Sequence, residues 1–321
     1  MRIARLVMVF CIISCFAGAV FAQDYPAKPV KVIVPFTAGS ATDIIARTVC
    51  QKLSGLWNQP VVVENVTTAG IPAATDMVAK APKDGYTLLI TGSTYAVLPF
   101  LYAKLPFDPL KDLIEIAFLA SQPFVLVTSP SSGFKTVADL IAAAKAKPAQ
   151  LKYGAAGTGS GNHFAAERFN MEAGIKATYV VYQGGPEVNA ATMSGQITYW
   201  FAPLAIALKP IQEGKLVALG VTSSKRNDKL PLVPTIAEAG IAGYEESNWW
   251  GIWAPAGIPA PVADMLAKDV TRVLSSPDLR DEFAKRGYEP KSMTSAEFTR
   301  FVRNGMESAA VISKKAGIKP Q

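Results

Sequence analysis

One histidine and three cysteines in 321 residues leave nothing from which a multinuclear metal centre or zinc ribbon is built, because such sites need clusters of those ligands. Internal repeats and low-complexity segments are missing too, which excludes a solenoid. Basic residues outnumber acidic ones, giving +7, but they are spread as on a solvated surface and no nucleic-acid motif accompanies them. The chain is 50% hydrophobic and 18% charged, with 24 Gly and 23 Pro, which is globular composition. Its length suggests about two domains with a core that needs no staples.

The one long apolar stretch is N-terminal. Arg2 and Arg5 precede an apolar run from Leu6 to Phe21, and Val20 and Ala22 are small residues before a cut at Gln23. Residues 1–22 are therefore expected to be a cleaved secretory signal, since the run is short for a spanning helix and no stop-transfer charges follow. Ile12-Ile13-Ser14-Cys15 loosely resembles a lipobox, but the apolar stretch continues past Cys15. Residues 1–22 hold two of the 32 basic residues and none of the 25 acidic ones, which leaves +5 for the remainder. Cys50 is then the one thiol, so an internal disulfide is excluded, and a small buried apolar role on a helix is expected.

Beyond residue 22 short β-branched runs alternate with helical patterns. Strands are predicted at 30–35, 60–64 and 86–91, with helices at 42–56 and 73–81 between them, the order of a parallel sheet covered on both faces. A strand from Phe118, a helix at 137–147, a strand at 151–153, a helix at 163–173 closed by Gly174, and strands at 178–182, 197–201 and 216–222 form a second α/β set. Gly184-Gly185-Pro186 opens another helix with proline in its first turn. After the aromatic strand 248–254 come only helices, at 261–275, 277–286 and 295–316, which must pack back onto the first sheet. The expected division is lobe 1 at 23–124 plus 250–321 and an inserted lobe 2 at 125–249.

Three loops lead into helix N-termini: Pro35 to Asp43, Gly154 to His163, and Tyr182 to Pro186. Small residues let backbone N–H groups approach a ligand, and the helix dipole favours an anion. No Lys or Arg stands inside these loops, so a carboxylate suits them better than a phosphate. Ser40, Thr42, Asp43 and Asn162 are equally ordinary cap or first-turn residues, each worth about 1 kcal/mol to its helix. Gly157, Gly159 and Gly161 are spaced G-x-G-x-G without a following acid, and no Lys-Ser/Thr ending is present, which argues against dinucleotide and P-loop binding. Ser160 and His163 invite comparison with nucleophilic catalysis, yet there is no G-x-S-x-G elbow, and a structural or ligand-bonding histidine is the better reading. Trp249, Trp250 and Trp253 are expected in the core.

The mature chain resembles the extracytoplasmic solute receptors of the tripartite tricarboxylate transporter type, the Bug or TctC family. The resemblance runs through Tyr25-Pro26 to Phe36, Ala38-Gly39 with Thr42-Asp43, Gln59 to Asn65, Asp84 to Leu89, Leu151 to His163, Gly195-Gln196, Val221 to Ser223, Val233 to Gly240 and Trp250 to Gly257. It implies a type II periplasmic-binding-protein fold, two α/β lobes joined by two crossing strands, closing on a small carboxylate in the periplasm and delivering it to membrane permease subunits. It implies no catalytic residue, metal, cofactor or nucleic acid, and a monomer is expected. By resemblance the ligand is held by Phe36, Ala38, Gly39, Ser40, Ala41, Thr42 and Asp43, and by Gly157, Thr158, Gly159, Ser160 and His163. Ser93, Thr94 and Tyr95, then Tyr182 and Gly184, complete the cleft, with Phe201 and Ala202 from a stretch where relatives often carry acids. Tyr199 and Trp200 in that stretch, together with Gln183 in place of a base, suggest an aromatic acid beside a dicarboxylate as ligand class. The alternatives are an exported serine hydrolase using Ser160 and His163, and a receptor serving a sensory partner.

Overall fold

The computed structural model describes residues 25–320 apart from Ala69, so the expected signal segment and its cysteines lie outside the described residues. Strand β1 (Val30–Val34) is buried except for Lys31, as expected of a central parallel strand, and it pairs in parallel with β2 (Val61–Asn65) and β3 (Thr87–Gly92). Helix α1 (Ala41–Trp57) follows β1 and α2 (Gly70–Ala79) follows β2. Ile45, Val49 and Leu53, four residues apart, form the buried stripe of α1, and Cys50 is buried beside them with its thiol pushed up to about 12 by burial.

The sheet continues through antiparallel strands. The 16-residue β4 (Leu113–Thr128) changes partner along its length. Leu113 to Pro123 pair with β9 (Ser247–Pro255), whereas Phe124 to Thr128 pair with β7 (Tyr199–Pro203), and Val125 to Thr128 also pair with β8 (Val217–Val221). The spatial order is β2-β1-β3-β9-β4-β7-β5-β6, with β5 (Lys152–Ala156) parallel to both β6 (Thr178–Tyr182) and β7. Two strands, β4 and β9, thus carry the chain between two sheet halves.

Helices α4 (Val137–Ala146), α5 (Gly161–Ala173), α6 (Gly185–Met193) and α7 (Leu204–Gln212) cover the second half, whose faces are two apolar clusters around Phe169 and Trp200. The C-terminal helices α8 (Ala260–Leu274), α9 (Pro277–Lys285) and α10 (Ser295–Ala316) return to the first half. Leu266, Val270, Leu279 and Phe283 join β1 and β3 in one cluster, and Phe298, Val302 and Met306 join Trp249 and Trp253 in another. Among the described residues no helix is long and apolar enough to cross a membrane.

Two helices escaped prediction, α7 and α3 (Thr94–Leu101), the latter read as a loop. Both are short and contain a proline, Pro99 and Pro210, which sequence rules treat as a stop. The strand predicted from Phe118 begins five residues earlier, at Leu113.

Candidate functional site

The chain crosses between the sheet halves at the ladder Gln122↔Asn248 and Pro123↔Ser247. A cavity of about 180 Å³ opens there. Its polar wall is Ser160, Gly161 and Asn162 at the start of α5, Gly185 at the start of α6, and Asn248 of β9. Its apolar wall is Phe124, Ala156, Pro203 and Ile206. The Ser160 side chain does not cap α5 and Gly184 has none with which to cap α6, so the N–H groups of Gly161 and Asn162 in α5, and of Gly185 in α6, where Pro186 has none, carry no side-chain cap. Each helix end carries roughly half a positive charge, and no charged side chain lines the cavity. An anion with a compact apolar body fits this wall chemistry.

The Gly-rich loop is fixed from behind. Gly157 and Gly159 have φ +95° and +83°, a region that admits glycine without strain. The Gly159 N–H donates to His163 Nδ1 (3.2 Å), so the neutral ring carries its proton on Nε2, 3.9 Å from Glu167 Oε1. The ring stacks on Tyr179 with centroids 4.2 Å apart. Burial lowers the His163 imidazole to about 4, and burial likewise raises Glu167, which accepts from the Tyr153 hydroxyl. Ser160 Oγ lies 2.7 Å from Gly157 O and 2.5 Å from Asn162 Oδ1. Ser160 and His163 share no side-chain hydrogen bond among the described residues, so they are not paired as nucleophile and base.

The first loop is built the same way, from its own side chains. Ser40 Oγ accepts from the Asp43 N–H, and Asp43 accepts from the Gly39 N–H (2.8 Å), from Asn65 Nδ2 (2.8 Å) and from Arg47 Nε (3.0 Å). Burial alone would raise the Asp43 carboxyl, but the hydrogen bonds from Arg47, Gly39 and Asn65 hold it below its ordinary value. Thr42 Oγ1 accepts from Trp250 Nε1 at 2.9 Å. The carboxylate of Asp43 is therefore engaged within the protein, contrary to the expectation that it meets a ligand, whereas the Thr42 hydroxyl accepts from Trp250 and keeps its own O–H donor. Phe36 packs partly against the first core, Ala38 and Gly39 are exposed, and Ser40 and Ala41 are half-buried. None of these residues belongs to the wall of the 180 Å³ cavity.

Other expected side chains turn away. Tyr95 is buried in the first half with its hydroxyl on Pro109 O (2.7 Å). Phe201 packs tilted against Phe169 with centroids 5.4 Å apart, and Ala202 is sealed in the cluster around Trp200. Tyr199 and Trp200 are fully buried, which removes the sequence argument for an aromatic acid. All three C-terminal tryptophans are core residues, as expected. Of the rest, Thr158 is exposed with Oγ1 3.4 Å from the Tyr179 hydroxyl, and Tyr182, Gly184, Ser93 and Thr94 are half-buried near the crossing or the third loop. Asn248, Phe124, Pro203 and Ile206 carried no sequence signal, because each stands on a strand or helix that looks like core. A larger groove of about 690 Å³ lies at the other end of α5, against the end of α10, and shares no residue with this cavity.

Comparison with known proteins gives the family and the fold. Residues 45–318 match the family model described as the tripartite tricarboxylate transporter family receptor. The chain is 31% identical to protein BugT of Bordetella pertussis over 320 residues, covering 99% of this chain and 98% of BugT. The solved structure of R. palustris Rpa4515 with adipate superposes with a TM-score of 0.79 at 31% identity, covering 93% of this chain and 100% of that one. MatC from Rhodopseudomonas palustris with bound malate gives 0.73 at 27% identity, covering 90% and 99%. These relatives are receptors rather than enzymes, and the fold is that of the periplasmic binding proteins of this type. The chain belongs to the tripartite tricarboxylate transporter family of solute receptors.

Proposed function

We propose that this receptor binds a small dicarboxylate by closure of two lobes, residues 23–124 plus 250–321 and residues 125–249, and hands it to permease subunits in the membrane. Export by cleavage near Ala22 and action as a periplasmic monomer belong to the same reading. The observation that carries the ligand class is the uncharged 180 Å³ cavity at the strand crossing, walled by lobe 2 apart from Phe124, onto which the N-termini of α5 and α6 converge. Adipate and malate in two relatives support the ligand class. Tyr199 and Trp200 give no reason to prefer an aromatic acid, since both are spent on the core. The loops at Phe36 to Asp43 and Gly157 to His163 are retained as the two jaws, with Asp43 and His163 shaping them from within.

Binding breaks no covalent bond. The solute stabilises the closed state by contacts that both lobes make only when closed. Calorimetry on ligand-free protein with succinate, glutarate, adipate, malate, benzoate and aspartate tests the reading. Dicarboxylates are expected to bind with one-to-one stoichiometry and no product; binding of aspartate or benzoate alone would overturn the ligand class.

A further inference from the structure

Asn248 occupies a position unlike any other on the cavity wall. It stands on β9 opposite Gln122, at the point where the chain passes between the two halves. Its Oδ1 accepts from the Ser93 hydroxyl (2.7 Å), the residue that leads into α3 of the first half. Gly161, the first residue of α5, lies against the same pair: a Cβ placed there would stand 3.1 Å from Ser93 Oγ, 3.2 Å from Phe124 Cζ and 3.5 Å from Asn248 Oδ1. Three elements thus meet on one amide, and the same amide lines the cavity. With Oδ1 committed to Ser93, the two N–H donors of Nδ2 are the end left for a guest, and Nδ2 has no partner among the described residues.

The charge arithmetic of the cavity gives that donor a task. Two helix ends of roughly half a charge each balance one carboxylate. A second carboxylate has no cation on the wall to meet it, so its recognition falls to a neutral donor set apart from the helix ends. Resting on the carboxylate reading above, we propose that Asn248 is the specificity-determining residue of this receptor: Nδ2 donates to the second polar group of the solute while Oδ1 holds Ser93, so that filling the cavity and holding the first half against α5 involve one side chain.

Three variants separate this from a merely structural role, each checked for folding by circular dichroism and thermal melting. Asn248→Ala removes both functions, Asn248→Asp keeps the acceptor for Ser93 while replacing the donor by a negative charge, and Ser93→Ala keeps the donor and loosens only the lock. Affinities are measured by calorimetry for succinate, glutarate and adipate against butyrate, pentanoate and hexanoate. Loss of a hydrogen bond to a carboxylate predicts roughly a tenfold or greater drop in dicarboxylate affinity for Asn248→Ala, and about a hundredfold for Asn248→Asp. The monocarboxylates should fall by much less, so that the di-to-mono ratio collapses, whereas Ser93→Ala should lower both series together and leave the ratio intact. A wild-type ratio in folded Asn248→Asp overturns the assignment. Should the wild-type protein bind neither series, the carboxylate reading itself fails, and the role of Asn248 with it.

Discussion

At the scale of the residue, polar side chains that look like ligand contacts are mostly occupied in shaping the loops that present backbone N–H groups. His163 is the clearest case, because its Nδ1 lone pair takes the Gly159 N–H and protonation would destroy that acceptor. Its folded-state value of about 4 lies below the ordinary 6.5, so the unfolded chain takes up the proton first as the pH falls. Stability from this group is therefore complete above about pH 6.5 and declines toward pH 4, by about 3 kcal/mol in all. Urea melts of the wild type and of His163→Phe between pH 4 and 7.5 check this, and the variant should lose that slope while being less stable at neutral pH. Asp43→Asn should cost about 2 kcal/mol through Gly39 and Arg47, and weaken solute binding only as the loop relaxes. A lost affinity with an unchanged melting temperature would contradict it. The motif around Asp43 was legible in the sequence; its direction, inward to Gly39 and Asn65, was not, since an N-cap pattern looks the same whether or not a ligand is near.

At the scale of the element, the two halves touch through pieces that sequence reading left blank. Helix α3 places Leu101 against the Gly-rich loop so closely that a Cβ on Gly159 would come within 2.2 Å of Leu101 Cδ1. Gly159→Ala combines that clash with a positive φ and is expected to cost about 1–3 kcal/mol and lower solute affinity. Adding Leu101→Ala should relieve the clash and not the backbone strain, which a double-mutant cycle on affinity and stability resolves. Full additivity would mean the loop and α3 do not act together. Helix α10 spans the junction as well: Val302 and Met306 pack with Trp253, whereas Ala309 and Ile312 pack with Val97 of α3 and Phe164 of α5. Its boundaries were readable from the capping box at Thr294 and Glu297 and from Gly317, but the change of partner along its stripe was not, because one apolar face can serve two neighbours. Strand β4 shows the same limit, for periodicity marks a strand without saying that its two ends belong to different sheets.

At the scale of the molecule, two strands and the end of α10 join the two halves, and the proposed closure would have to bend them. A solute at a hundred times its dissociation constant should add about 2.7 kcal/mol to stability. Thermal melting with and without dicarboxylate checks that, alongside small-angle scattering for a smaller radius of gyration on binding. A large stabilisation with no change in radius would mean that the protein is closed before the solute arrives.

The sequence by itself determined the alternation of strands and helices, the return of the C-terminal helices to the first sheet, the buried tryptophans and Cys50, and the placing of small residues before helix starts. Each of these follows from periodicity, hydrophobicity or backbone freedom, which act within a few turns of chain. The tertiary structure alone decided which loops share a wall, that Asp43 and His163 face inward, and that Asn248 meets Ser93 across 155 residues of chain. Such meetings depend on how β4 and β9 cross, and a strand carries no local record of the partner it will find.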